Sequence, residues 1–258
     1  MAVSRQQIIH AIQRALEPED HINAVWLGGS TARGEEDPLS DIDVFVDTAD
    51  GRHEDAVVAT EAALGTLAPI EHRYRLPEPT WHGHTHCVYR LQGCPEHLCI
   101  DLHVWERSNQ ASRYLEKEIH GTPAVLFDKL AIVENQPTDW TAHRESLRRH
   151  LDSTWQYLCL YRHRVSKQLA RDCPGEAVLR YEQFILRPLQ TILRTRYTPK
   201  YYFYLPVRIK RDLPDDVYQR FTRLCFVSSV DDLEDKAREA IAWAEDTYRS
   251  LDVDALEF

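Results

Sequence analysis

Two adjacent glycines and a serine, Gly28, Gly29 and Ser30, follow the apolar run AVWL at residues 24–27 and precede the alternation DIDVFV at residues 41–46. The whole stretch reads GGSTARGEEDPLSDIDVFV, and it constrains the fold more than any other part of the chain. The apolar run reads as a short buried strand. The glycines then fall at a strand-to-helix turn, where backbone amides can approach an anion closely. Ser30 is expected to cap the short helix and to face a phosphate. In the strand after the loop, alternation puts Ile42, Val44 and Val46 on one face and Asp41, Asp43 and Phe45 on the other. The two carboxylates point the same way, about 6–7 Å apart at roughly 3.3 Å per residue.

Two acids on one side of a strand repel each other and are costly to desolvate together unless a cation sits between them. Mg²⁺ takes carboxylate oxygens and keeps its other positions for water and substrate phosphates. A phosphate-cradling turn beside paired acids is therefore a layout for phosphoryl or nucleotidyl transfer. The plainer alternative is a glycine turn before an edge strand whose acids only face water. Transfer chemistry calls for a third acid on a neighbouring strand. Residues 97–105 (HLCIDLHVW) supply one, with Leu98, Ile100, Leu102 and Val104 on one face and Cys99, Asp101 and His103 on the other. On this reading Asp101 sits alone among hydrophobes, on a strand that pairs beside Asp41 and Asp43.

These residues resemble the nucleotidyltransferase superfamily that includes DNA polymerase β. Its motif is a Gly-Ser turn, a short helix, Asp-x-Asp, and a third carboxylate on a later strand; Gly29, Ser30, Asp41, Asp43 and Asp101 match it position by position. The spellings Ala32-Arg33-Gly34 and Ser40-Asp41-Ile42-Asp43 are similar to the small antibiotic-modifying nucleotidyltransferases and to the minimal nucleotidyltransferases of bacteria and archaea. The resemblance covers about the first hundred residues. It implies an α+β fold, a mixed sheet backed by helices, followed here by a helical bundle. It also implies ATP as nucleotide donor and Mg²⁺ as cofactor, with Asp41, Asp43 and Asp101 as catalytic and metal-binding residues. Gly28, Gly29, Ser30, Arg33 and Ser40 are then the nucleotide-binding residues, and Asp101 either completes a second metal site or takes the acceptor's proton. The implied reaction moves AMP to a hydroxyl of an aminoglycoside-like compound, as in antibiotic resistance. A protein-adenylylating enzyme of the antitoxin type and a non-catalytic nucleotide-binding regulator are the alternatives.

Net charge separates the acceptor classes. At −10 the chain lacks the basic balance of a protein that tracks a nucleic acid backbone. Glu35, Glu36, Asp37, Asp41, Asp43, Asp47 and Asp50 have no Lys or Arg among them, so this region should draw a small, cationic acceptor. No apolar run is long enough to span a membrane and the N-terminus lacks a signal pattern, which gives an expectation of a cytoplasmic protein. The six cysteines show no paired spacing and are expected to be reduced.

Periodicity predicts the surroundings. A helix over 4–16 opens with a capping box, Ser4 and Gln7, and a second covers 54–67. Strands are expected at 70–76, 85–91 and 98–105, with an edge strand at 124–127. The nucleotidyltransferase domain should span 1–137 and a helical domain 138–258. The latter should hold a helix to about 171, one over 176–196 and one over 230–251 capped by Ser229. Residues 196–211 (RYTPKYYFYLPVRIKR) mix aromatic and basic side chains that can stack a base or hold phosphates, and Lys200 is the expected triphosphate contact there. A packing loop between domains is the alternative. Residues 81–87 (WHGHTHC) offer His82, His84, His86 and Cys87 as zinc ligands, but their spacing matches no closed tetrahedral pattern, and cleft lining is the expected role.

Overall fold

The computed structural model describes residues 3–258, which divide into two compact units, the first ending at Thr138 and the second spanning Asp139–Phe258. The first holds α1 (Arg5–Leu16), β1 (Ile22–Leu27), α2 (Gly29–Ala32), β2 (Ile42–Thr48), α3 (His53–Gly65), β3 (Ile70–Arg75), β4 (Thr85–Leu91), β5 (Ile100–Glu106), α4 (Lys117–His120) and β6 (Ala124–Asp128). Its six strands form one mixed sheet in the order β3-β4-β5-β2-β1-β6. Only β2 and β5 run parallel; the other pairs are antiparallel. The crossover between β2 and β5 carries α3, which lies with α1 on one face of the sheet, and the fold is α+β.

That covered face is the main core. Ile42, Val44 and Val46 from β2, with Ile100, Leu102 and Val104 from β5, meet Ile8, Ile9, Ile12 and Leu16 of α1 and Val57 and Leu64 of α3. Each strand contributes alternate residues, as period-two patterning requires. The predicted capping box on α1 is formed: Ser4 Oγ accepts from Gln7 N and Gln7 Oε1 accepts from Ser4 N. The opposite face is covered for part of its width by the segments on either side of β6, whose Leu115 and Val133 pack on Ala24, Trp26, Phe45 and Trp105. The rest of that face carries the polar side chains described below.

The second unit is helical: α5 (Trp140–Tyr161), α6 (Arg164–Leu169), α7 (Pro174–Tyr181), a π-helical turn at Glu182–Leu186, α8 (Arg187–Tyr197), a 3₁₀ turn at Pro199–Tyr201, α9 (Ile209–Asp212), α10 (Asp215–Cys225) and α11 (Val230–Arg249). Two corrections arise here. The helix expected to run to about 171 is broken after Tyr161, while Val165 stays buried with Leu147, Leu151 and Leu158, so the apolar stripe survives a break it cannot reveal. The helix expected over 176–196 carries the π turn before Pro188, whose missing amide hydrogen removes a helical rung. The helix α10 lies between the stretches for which the sequence raised an expectation. Ser229 caps α11 as expected, accepting from Asp232 N at 3.1 Å. Among the described residues no helix is long and apolar enough to cross a membrane, and all six cysteines are free.

Candidate active site

The parallel pairing of β2 and β5 sets Asp43 opposite Asp101, with Ile42 opposite Ile100 and Val44 opposite Leu102. The aliphatic neighbours enter the core, so both carboxylates project from the other face. Asp41, two residues before Asp43, stands at the exposed end of the same side. The three acids proposed from sequence are thus brought together from two strands, and their charges act on one another.

The glycine turn is pressed against this group. Gly28 N donates to Asp43 O at 3.1 Å, joining the turn to β2. Gly29 has φ +53°, and a Cβ there would fall 1.6 Å from Asp43 Oδ2; a Cβ on Gly28 would fall 2.1 Å from the Phe45 ring. Glycine is required at 29 by the backbone conformation and by the proximity of Asp43, and at 28 by the proximity of the Phe45 ring. Ser30 is not the helix cap. It lies inside α2, which starts from Gly28 with no side-chain cap, and its Oγ is buried without a hydrogen-bond partner.

Arg33 follows α2 and pairs through Nε with Glu35 Oε2 at 3.0 Å. Ser40 Oγ accepts from Asp37 N at 2.9 Å and shapes the loop before β2. Arg5, which sequence reasoning missed, ties α1 to that loop. It donates to Thr31 Oγ1 at 2.6 Å and to Asp41 O, and lies 3.1 Å from Glu36. Nothing in its helical position marks it, because its partners lie some thirty residues away along the chain.

Burial, then the charges of Asp41 and Asp101, pushes the Asp43 carboxyl up to about 7. Desolvation and then Asp101 raise Asp41. Burial also works to raise Asp101, but hydrogen bonds from His103 and His86 outweigh it and hold the group well below the usual carboxylate range. One acid is therefore poised for protonation near neutrality, and its register partner stays ionised.

Asp101 is not alone among hydrophobes. His86 of β4 is opposite His103 of β5, and His86 Nε2 meets Asp101 Oδ1. His82 and His84 stack behind them, with ring centroids 3.9 Å apart. Burial and the neighbouring histidines hold His82 and His84 below the ordinary imidazole range, and burial lowers His103 despite Asp101. Cys87 points into the core with Tyr89 and Leu91, so it leaves the ligand set considered from sequence. His103 was legible as the same-face residue two after Asp101; the partnership with His86 needed the pairing of β4 with β5.

Lys200 belongs to the second unit, where it lies over the Tyr201 ring at 4.9 Å within the 3₁₀ turn. Tyr201 and Tyr202 are buried and Phe203 is exposed. In this segment the aromatic residues serve packing at least in part.

Residues 8–85 match the family model of the nucleotidyltransferase domain. The matched stretch contains the glycine turn, Asp41 and Asp43, and it ends before Asp101. No curated protein matches the chain significantly. Among solved structures, the chain is similar to an aminoglycoside 6-adenyltransferase from Bacillus subtilis, at 14% identity and TM-score 0.36 over 96% of this chain and 90% of that one. A nucleotidyltransferase-like protein from Exiguobacterium sibiricum gives 14% and 0.41 over 96% and 75%. A spectinomycin adenyltransferase from Enterococcus faecialis, solved with ATP and spectinomycin, gives 9% and 0.38 over 96% and 100%. Likenesses this distant leave the acceptor open.

Proposed function

We propose that this chain, an enzyme whose first unit carries a nucleotidyltransferase domain, transfers AMP from ATP to a hydroxyl of a small cationic compound such as an aminoglycoside and releases pyrophosphate. The observation that carries the reading is the convergence of a glycine turn with paired acids: Asp43 is in register with Asp101, and its carboxylate leaves no room for a Cβ at Gly29. Crowded carboxylates and an unpartnered buried hydroxyl make a donor set suited to a hard divalent ion beside a phosphate.

Asp41 and Asp43 are the residues that would hold Mg²⁺. When bound, that ion supplies positive charge to the phosphates of the nucleotide. The Gly28–Gly29 turn and Ser30 Oγ give donors for the terminal phosphates, with Arg33 adding positive charge close to Asp41 and Asp43. The acceptor oxygen bonds to the α-phosphorus as its bond to pyrophosphate breaks, and the hydroxyl proton passes to solvent. Asp101, stabilised as an anion by two histidines, is a weak base, which favours a charge-holding role over proton removal. The acidic stretch over 35–50 and the net charge of −10 support a cationic acceptor.

The test is transfer from α-labelled ATP with Mg²⁺ and a panel of aminoglycosides. Labelled compound and pyrophosphate are expected from the wild type, with Asp43→Asn slowed by about a thousandfold or more, some 4 kcal/mol in the barrier. Label on protein, or equal turnover by a folded Asp43→Asn variant, would sink this reading.

A further inference from the structure

A second cluster on the same sheet face has ligand chemistry of another kind. His86 from β4 and Asp101 and His103 from β5 bring one donor atom each within 4.8 Å of one another. His86 Nε2 meets Asp101 Oδ1, and His103 Nε2 lies 3.6 Å from the same oxygen. The side chains keep 14%, 10% and 25% exposure for His86, His103 and Asp101, so an ion can reach them from solvent.

Hydrogen counting in the row behind them shows how the rings are held. Thr80 Oγ1 donates its only hydrogen to His84 O at 2.6 Å. Toward His82 Nδ1, 3.2 Å away, it can then only accept. The His82 hydrogen is therefore on Nδ1, which leaves His82 Nε2 as an acceptor. Its partner at 3.1 Å, His86 Nδ1, must donate. His86 Nδ1 is thereby held by His82 while Nε2 faces the Asp101 carboxylate, the side from which a ring nitrogen ligates an ion shared with that carboxylate. His103 is arranged alike: Nδ1 is 2.8 Å from His84 Nε2, and Nε2 turns toward Asp101. An outer partner on the second ring nitrogen is the usual setting of a metal-bound imidazole.

We propose that His86, His103 and Asp101 bind a late first-row divalent metal ion of the zinc class, with His82 and His84 orienting the two ligating rings. Imidazole nitrogens select such ions, whereas the all-oxygen pair Asp41 and Asp43 suits Mg²⁺. Three protein ligands leave a position for water. The site shares Asp101 with the carboxylate trio but does not depend on the transfer reading.

Metal-free full-length protein titrated with Co²⁺ alone reports the site through visible ligand-field absorption, and calorimetry follows its displacement by Zn²⁺. The wild type is expected to bind one equivalent of Co²⁺ and to release it to Zn²⁺. His86→Gln and His103→Gln should each weaken binding by about a hundredfold, and His82→Gln by about tenfold. Asp43→Asn should bind Co²⁺ while losing transfer, so the two readings fail separately. Absence of absorption and heat in the wild type would overturn the proposal. Undiminished Co²⁺ affinity in a folded His86→Gln/His103→Gln double variant would overturn it too. The wild-type titration decides alone if a histidine variant fails to fold.

Discussion

Asp43 concentrates the electrostatic conflict of the first unit. Its folded-state value near 7 lies above that of an unfolded aspartate, so the fold binds the proton more tightly than the unfolded chain does. This imposes no penalty below about pH 4, a growing one up to about pH 7, and the full one above. Asp101 is shifted the opposite way, and its stabilisation is present above about pH 4 and lost in more acidic solution. Metal-free wild type is therefore expected to melt at a lower temperature at about pH 8 than at about pH 5, with a smaller difference in Asp43→Asn. Mg²⁺ should raise the melting temperature more at the higher pH, because its ligands must be deprotonated; an equal rise at both would contradict the assignment. Gly29 is the second sensitive position. Alanine there meets both a positive φ and the Asp43 carboxylate. Calorimetry should record a loss of about 1–3 kcal/mol from the backbone alone, and kinetics a fall in transfer of about a hundredfold or more from the displaced carboxylate.

Among elements, β2 shows how one strand face can carry both a site and a structural anchor. Asp43 is crowded by other acids, whereas Asp47, four residues on and fully buried, is satisfied. Arg113 reaches its Oδ2 through Nε at 3.2 Å and Nη2 at 2.9 Å, and Asn23 Nδ2 donates to its Oδ1 at 2.8 Å. Arg113 comes from the segment between β5 and β6 that covers this face, so the pair fastens that segment to the sheet. Arg113→Ala leaves a buried carboxylate short of its partner and should lower the unfolding free energy by about 3–5 kcal/mol in denaturant titrations. A loss below about 1 kcal/mol would show that solvent or Arg107, 3.9 Å away, takes over. The helices differ in how far pattern alone described them. The ends of α1 and α11 were legible because Ser4 and Ser229 cap them by local hydrogen bonds. The break after α5 was not, since Val165 continues the same buried stripe across it.

For the molecule as a whole, the charge of −10 acts at long range. If the acceptor is cationic, raising ionic strength from about 0.02 to about 0.2 M should raise its KM, while a neutral acceptor of similar size is unaffected; equal responses would remove the electrostatic argument. The sequence by itself determined the strand-turn-helix around Gly28 to Ser30, the common face of Asp41 and Asp43, and the aliphatic face buried beneath them. Each depends on alternation or on a turn a few residues long. Only the tertiary structure decided that Asp43 stands opposite Asp101, that Asp43 excludes a side chain at Gly29, and that His86 and His103 converge on Asp101. Those relations come from strand pairing between distant segments, whose register is set by packing on α1 and α3 and has no local signature.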